Sequence, residues 1–170
     1  GVRAADTVVI TLSAKSGALV GTEKAWKLAN QSKKARAFFI SKVDQENADY
    51  FKALETLKQT FGDSVCPVVV PVNGVYVNLI EKKAYTFSKG KAVEAAMPAD
   101  DRVEELSMSI TEAIANTDDG LMEKFFADEP FTAEEMQAGL KKGLRDGAIA
   151  PVFCGDAITL NGVSLLLDAV

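Results

Sequence analysis

Two short runs hold residue types whose chemistry suits ligand recognition. Ser41-Lys42-Val43-Asp44 follows the apolar Phe38-Phe39-Ile40, so it stands where an apolar strand would end. In a polar-Lys-x-Asp run at such a place, the carboxylate can accept from two adjacent donors of guanine, the ring N–H and the exocyclic amine. The Lys stem lies under the base. Adenine offers no such donor pair, so Asp44 would supply selectivity more than affinity. The second run, Pro151-Val152-Phe153-Cys154-Gly155-Asp156-Ala157, also ends an apolar stretch. A turn there can aim a backbone N–H, for instance that of Ala157, at the guanine carbonyl oxygen. Each run has a plainer reading. Lys and Asp are commonplace at a solvated strand end, and average composition produces polar-Lys-x-Asp by chance in roughly one chain in ten of this length. A Gly in a strand-to-helix connection is ordinary too. Neither run decides the matter alone.

Composition removes several alternatives. The 170 residues include 24 acidic and 19 basic side chains, two Cys and no His. Without His the chain holds no Ser-His-Asp triad, no Cys-His dyad and no His-ligated zinc. Cys66 and Cys154 each sit in an apolar, Pro-flanked run, which predicts buried, reduced thiols of a cytoplasmic protein. A net charge of −5 argues against independent nucleic-acid binding. No apolar run approaches the roughly 20 residues of a membrane helix, and the start carries no signal-peptide pattern. Asp100-Asp101 and Asp118-Asp119 read as acidic helix starts facing the macrodipole, so no metal site is expected. Lys141, Lys142 and Arg145 crowd the end of a helix, where the dipole favours cations; a surface for an acidic partner is the other reading.

The elements that must position the two runs follow from periodicity. Thr7 to Leu12 reads as a buried strand. A turn at Ser16-Gly17 leads to a helix from about Thr22, whose hydroxyl would cap it. Ala37 to Ile40 is a second strand. Tyr50, Phe51, Leu54, Leu57 and Phe61 share one helical face, and that helix stops at Gly62. Val68-Val69-Val70 reads as a third strand. Strand, helix, strand, helix, strand with short links predicts a doubly wound parallel sheet. The pattern changes after Pro71. Val75 to Ile80 and Ala84 to Phe87 read as a half-exposed hairpin, and Ser88 to Asp101 as a loop. Three helices follow: one with Val103, Leu106, Ile110 and Ile114 on a face, one over 118–127, and one opened by a Thr132/Glu135 capping box with Phe131 stapling onto Met136. Ile149 to Phe153 then returns to strand, and a last helix starts near Val163. The division is therefore 1–71 and 148–170 for an α/β core, with 72–147 as an inserted α+β unit.

The ordered series of motifs resembles the GTPase domain of bacterial elongation factor G. The matching runs are Arg3-Ala4-Ala5-Asp6, Ser16-Gly17, Val20 to Trp26, Ser41 to Asp44 with Glu46 to Tyr50, and Cys154 to Ala157. Lys83-Ala84-Tyr85, Asp118 to Lys124, Asn161-Gly162-Val163 and Leu166 to Val170 match as well. The resemblance implies a P-loop NTPase fold with an inserted G′ subdomain, binding of GTP and GDP through Ser41, Lys42, Asp44, Gly155, Asp156 and Ala157, and hydrolysis coupled to ribosomal translocation. It further implies a cytoplasmic protein whose partners are the ribosome and, through the insertion, the ribosomal stalk protein. A ribosomal protection or release-factor-type GTPase, or a non-enzymatic ribosome-interaction module, are the alternatives. Four positions depart from the family: Ser41 stands for Asn, Asp156 for Ser, Ser13 for Asp and Thr7 for Gly. A hydroxyl at Ser41 has less hydrogen-bonding capacity than an amide, which predicts weaker nucleotide affinity with guanine selectivity kept by Asp44.

The phosphate chemistry has no counterpart in these residues. No G-x-x-x-x-G-K-[ST] occurs; Gly90-Lys91 is the one Gly-Lys pair, and no D-x-x-G is present. Gly17 to Thr22 lacks the Lys of a phosphate loop and reads as a turn into a helix. The expectation is a piece of a larger GTPase, with no catalytic residue, phosphate cradle or Mg²⁺ ligand in this stretch and no turnover by the chain alone.

Overall fold

The computed structural model describes residues 2 and 4–169. Arg3 and Val170, quoted above for the resemblance, lie outside the described residues. In chain order the elements are β1 (Thr7–Ser13), α1 (Val20–Gln31), β2 (Ala35–Ser41), α2 (Tyr50–Phe61), β3 (Val65–Pro67), β4 (Val69–Val72), β5 (Val75–Asn78), β6 (Lys83–Ser88), β7 (Lys91–Ala95), α3 (Asp101–Ala115), α4 (Asp119–Phe126), α5 (Ala133–Asp146), β8 (Ala150–Gly155) and α6 (Val163–Ala169). They form two sheets. The parallel sheet runs β1-β2-β8-β3 and the antiparallel sheet runs β4-β5-β6-β7.

The parallel sheet is built on its two central strands. Ala37 to Ile40 of β2 and all of β8 are buried, as continuous apolar strands covered on both faces must be. On one face the Trp26 ring of α1 stacks on Phe38 at 5.4 Å, and Phe61 of α2 closes the trio at 4.7 Å from Trp26. The Arg36 guanidinium lies 4.3 Å above the Trp26 ring. It donates to Asn30 of α1 and to the Gly147 carbonyl at the end of α5. One side chain thus ties a core helix, a core strand and the last helix before β8.

Three sequence expectations change here. β1 is not a buried strand: only Ile10 and Leu12 of its residues are buried, because it forms the edge of the parallel sheet among the described residues. Thr22 is not the N-cap of α1; the helix begins at Val20, and Thr22 Oγ1 accepts the N–H of Leu19 from inside the first turn. The third parallel strand is Val65–Pro67, not Val68–Val70. Val68 is where the chain changes sheets: its N–H donates to Val152 of β8, while its carbonyl accepts from Leu79. A valine run cannot show that its residues partner two different sheets.

The antiparallel sheet is a meander of tight hairpins. Asn73-Gly74 joins β4 to β5 and Lys89-Gly90 joins β6 to β7, all four residues at positive φ. Two-residue loops with both φ positive match the twist of the flanking strands. The stretch after Ser88 therefore holds a strand, β7, where the sequence reads as loop. Lys91 to Glu94 are exposed, so β7 lacks the alternation that marks a half-buried strand. The predicted pairing of β5 with β6 is present, with Tyr76 opposite Tyr85. The Tyr50 hydroxyl donates to the Val69 carbonyl and links α2 to this second sheet.

The three central helices follow their sequence signals closely. Val103, Ile110 and Ile114 of α3 are buried. Asp100 and Asp118 act as N-caps for α3 and α4, accepting from Arg102 and Gly120 N–H groups. Thr132 accepts the Glu135 N–H while the Glu135 carboxylate accepts the Thr132 N–H, the reciprocal capping box. Phe131 and Met136 both join the core, as a staple requires. Replacing Thr132 by Ala removes one acceptor at a helix start, so the midpoint of urea unfolding should fall by the equivalent of about 1 kcal/mol. An unchanged midpoint would show that the cap contributes nothing.

Candidate functional site

Parallel pairing brings the two runs together. In the β2–β8 ladder Ser41 lies opposite Gly155, and in the β1–β2 ladder Ser41 lies opposite Ser13. The loops 42–44 and 156–158 therefore leave neighbouring strands at the same, carboxyl end of the sheet. That end is where open α/β sheets bind ligands. Another polar cleft, of about 490 Å³, is lined by Ser64, Val65 and Ala148 at the opposite end of the strands.

Ser41 ends β2 and is half-buried, and its hydroxyl donates to the Leu12 carbonyl at 3.0 Å. It locks β2 to β1. Lys42 turns the chain with φ +62°, and both Lys42 and Asp44 are exposed. A non-glycine residue held in the left-handed region costs about 1–3 kcal/mol, and here the cost turns the chain sharply out of the strand. Beside Asp44 a cleft of about 440 Å³ is lined by Tyr50, Phe51, Tyr76 and Asn161, among others.

The second loop is folded onto itself. Asn161 crosses directly over the end of β8, so a Cβ at Gly155 would stand 2.1 Å from the Asn161 carbonyl oxygen. A Cβ at Gly162 would meet the Cys154 carbonyl equally closely. No side chain fits at either crossing. Asp156 is buried, only 4% exposed. Its N–H donates to Asn161, and its carboxylate accepts from the Ile158 N–H, the Thr159 N–H and the Thr159 hydroxyl. Burial would raise this carboxyl, but the hydrogen bonds from Ile158 and Thr159 outweigh it and hold it below its ordinary value. Ala157 is exposed, and Ile158 beside it is 83% exposed. Sequence reasoning missed Ile158. An apolar residue directly after the turn was the available signal, and it reads as ordinary packing until the exposure is known.

The thiols are not part of this surface. Cys66 and Cys154 are buried and unpaired. Burial pushes Cys66 up to about 11 and Cys154 well above its usual value, so both stay protonated and inert, as buried thiols do.

The elongation factor Tu GTP-binding domain family matches residues 1–170. The chain belongs to this family. The chain is 31% identical over 173 residues to an elongation factor G-like protein of Thermotoga maritima, covering 99% of this chain and 25% of that protein. A crystal structure of a Thermus thermophilus protein superposes with a TM-score of 0.87 at 31% identity, covering 98% of this chain and 26% of the other. The domain spans about a quarter of the length of these relatives. The resemblance to elongation factor G and the α/β fold with an antiparallel insertion are both borne out.

The lowered Asp156 carboxyl gives a pH dependence. Its contribution to stability is fully present above the unfolded carboxylate value of about 3.9 and is lost as pH falls through the lower folded value. Urea unfolding followed from pH 6 down to pH 2 should show an acid-dependent loss that shrinks in Asp156→Asn. Identical acid profiles for the two proteins would assign the loss to other carboxylates.

Proposed function

We propose that this domain reads the base of a guanine nucleotide at the carboxyl ends of β2 and β8, as part of a translational GTPase related to elongation factor G. The observation that supports the reading is the register that sets Ser41 beside Gly155, because the loops that carry Asp44 and the Ala157 N–H leave these neighbouring strands at the same end. Asp44 accepts from the ring N–H and exocyclic amine, the Lys42 stem lies under the base, and the exposed Ile158 offers an apolar surface beside the same position. The Ala157 N–H donates to the base carbonyl. Gly155 lets the Asn161 backbone cross, and Ser41 braces the neighbouring strand. GTP and GDP are the nucleotides that this chemistry selects.

The remaining assignments rest on the family and on the chain's own residues. The division into 1–71 and 148–170 as core and 72–147 as a G′-like insertion is supported in outline by β5 to β7 and α3 to α5, although β4 (Val69–Val72), the first strand of the antiparallel sheet, straddles the 71/72 boundary. The proposed partners are the ribosome and, through the insertion, the stalk protein; the proposed compartment is the cytoplasm. Among the described residues no helix is long and apolar enough to cross a membrane. In the whole protein, hydrolysis of GTP would drive translocation on the ribosome, with Mg²⁺ held by residues other than these. The 170-residue chain has no G-x-x-x-x-G-K-[ST] and no D-x-x-G, so by itself it should not hydrolyse GTP. Turnover by this exact polypeptide, followed as phosphate release, overturns that part.

Asp44→Asn tests the base reading directly. The amide keeps one acceptor and gains a donor, so it suits xanthine, whose 2-position carries an oxygen, better than guanine. In the intact protein, GDP affinity should fall at least about ten-fold, as expected for a lost charge-assisted hydrogen bond, and the preference for GDP over xanthosine diphosphate should reverse. Unaltered GDP binding would remove Asp44 from the site.

A further inference from the structure

Four successive N–H groups follow β8, and three of them are already engaged. The Asp156 N–H donates to the Asn161 carbonyl at 2.9 Å. The Ile158 N–H donates to Asp156 Oδ1 at 3.1 Å and the Thr159 N–H to Asp156 Oδ2 at 3.3 Å. The Thr159 hydroxyl donates to the same Oδ2 at 3.0 Å. The Ala157 N–H makes no hydrogen bond to any described residue. The carboxylate is thus turned into its own loop, with both oxygens occupied by donors. On the outer side the loop is backed by the β6–β7 hairpin, where a Cβ at Gly90 would stand 3.2 Å from the Leu160 Cβ.

We infer that Asp156 is the positioning residue of the base-recognition loop, binding three donors of its own turn so that the Ala157 N–H is the one donor presented to the carbonyl oxygen of a guanine nucleotide. The inference rests on the base reading proposed above and goes beyond it in assigning Asp156 a role without contact to the base. A carboxylate aimed at the base carbonyl would repel it. A carboxylate spent on Ile158 and Thr159 instead fixes the turn and withdraws its own charge behind three donors. The loop therefore accommodates an acid because the acid faces inward.

Nucleotide analogues separate this role from the role of Asp44. Inosine diphosphate lacks the exocyclic amine and reports on Asp44; 6-thioguanosine diphosphate keeps the amine and ring N–H but replaces the carbonyl oxygen by a weaker acceptor, and so reports on Ala157. In the intact protein Asp156→Ala should lower GDP affinity about ten-fold. It should also bring the ratio of GDP to 6-thioguanosine diphosphate affinity towards one. Asp156→Asn, which keeps one acceptor, should fall between wild type and Asp156→Ala. A rise in GDP affinity on removing the charge would show that the carboxylate faces the base, and overturns the proposal; so does a 6-thio ratio that Asp156→Ala leaves unchanged. Failure of the wild-type protein to prefer GDP over inosine diphosphate would instead sink the base reading itself. Amide hydrogen exchange tests the loop without nucleotide. Ile158 and Thr159 should be protected in wild type and released in Asp156→Ala, with Ala157 fast in both; equal exchange at all three in wild type overturns the positioning role.

Discussion

The pairing of β2 with β8 is the constraint on which the rest depends. The two strands are more than a hundred residues apart in the chain, yet they lie side by side from Phe38 opposite Val152 to Ser41 opposite Gly155. Parallel strands cannot be joined by a tight turn, so a long crossover is obligatory. Here the connection contains α2, the parallel strand β3, a whole antiparallel sheet and three further helices. They are tied back to the ladder where the Val68 N–H meets Val152 and where Arg36 holds the Gly147 carbonyl. The pairing is also what gives two weak motifs a common edge.

The edge is shaped by backbone more than by side chains. Two close crossings, Asn161 over Gly155 and Gly162 against Cys154, leave no room for a Cβ. The loop that results is tied internally by Asp156 and exposes an N–H and an isoleucine at its tip. What such a loop presents is set by geometry: its free donor belongs to the main chain, so the residue type at Ala157 matters less than the fold of residues 155–162. Ser41 shows the same economy. Its hydroxyl is committed to the Leu12 carbonyl, and it serves the site by holding β1 and β2 in register.

Much of the architecture is legible in local patterns. The apolar faces of α2 and α3, the Thr132/Glu135 box and the buried strands β2 and β8 all follow from spacing and capping chemistry, because each is decided within a few residues. The errors fall where partners decide. Thr7 to Leu12 is as β-branched as a central strand, but among the described residues β1 pairs with β2 alone. Val68 to Val70 reads as one strand, but Val68 bonds to both sheets. Lys91 to Ala95 has no alternation because both its faces are wet. The Asn73-Gly74 pair, a hairpin signal that the periodicity of the flanking runs did not bring out, marks the first turn of the meander.

By itself the sequence determined which residue types are available for the proposed base recognition and in what order they occur, since a carboxylate after a strand and a glycine turn after another are local facts. It also determined the inert character of the thiols, because Pro-flanked apolar runs bury what they contain. Only the tertiary structure decided that Ser41 and Gly155 are neighbours, that the Asp156 carboxylate points into its loop, and that Ile158 points out. The reason is physical. Register, close backbone approach and the direction of a hydrogen-bonded side chain are set by residues distant in the chain, and no window of sequence contains both partners.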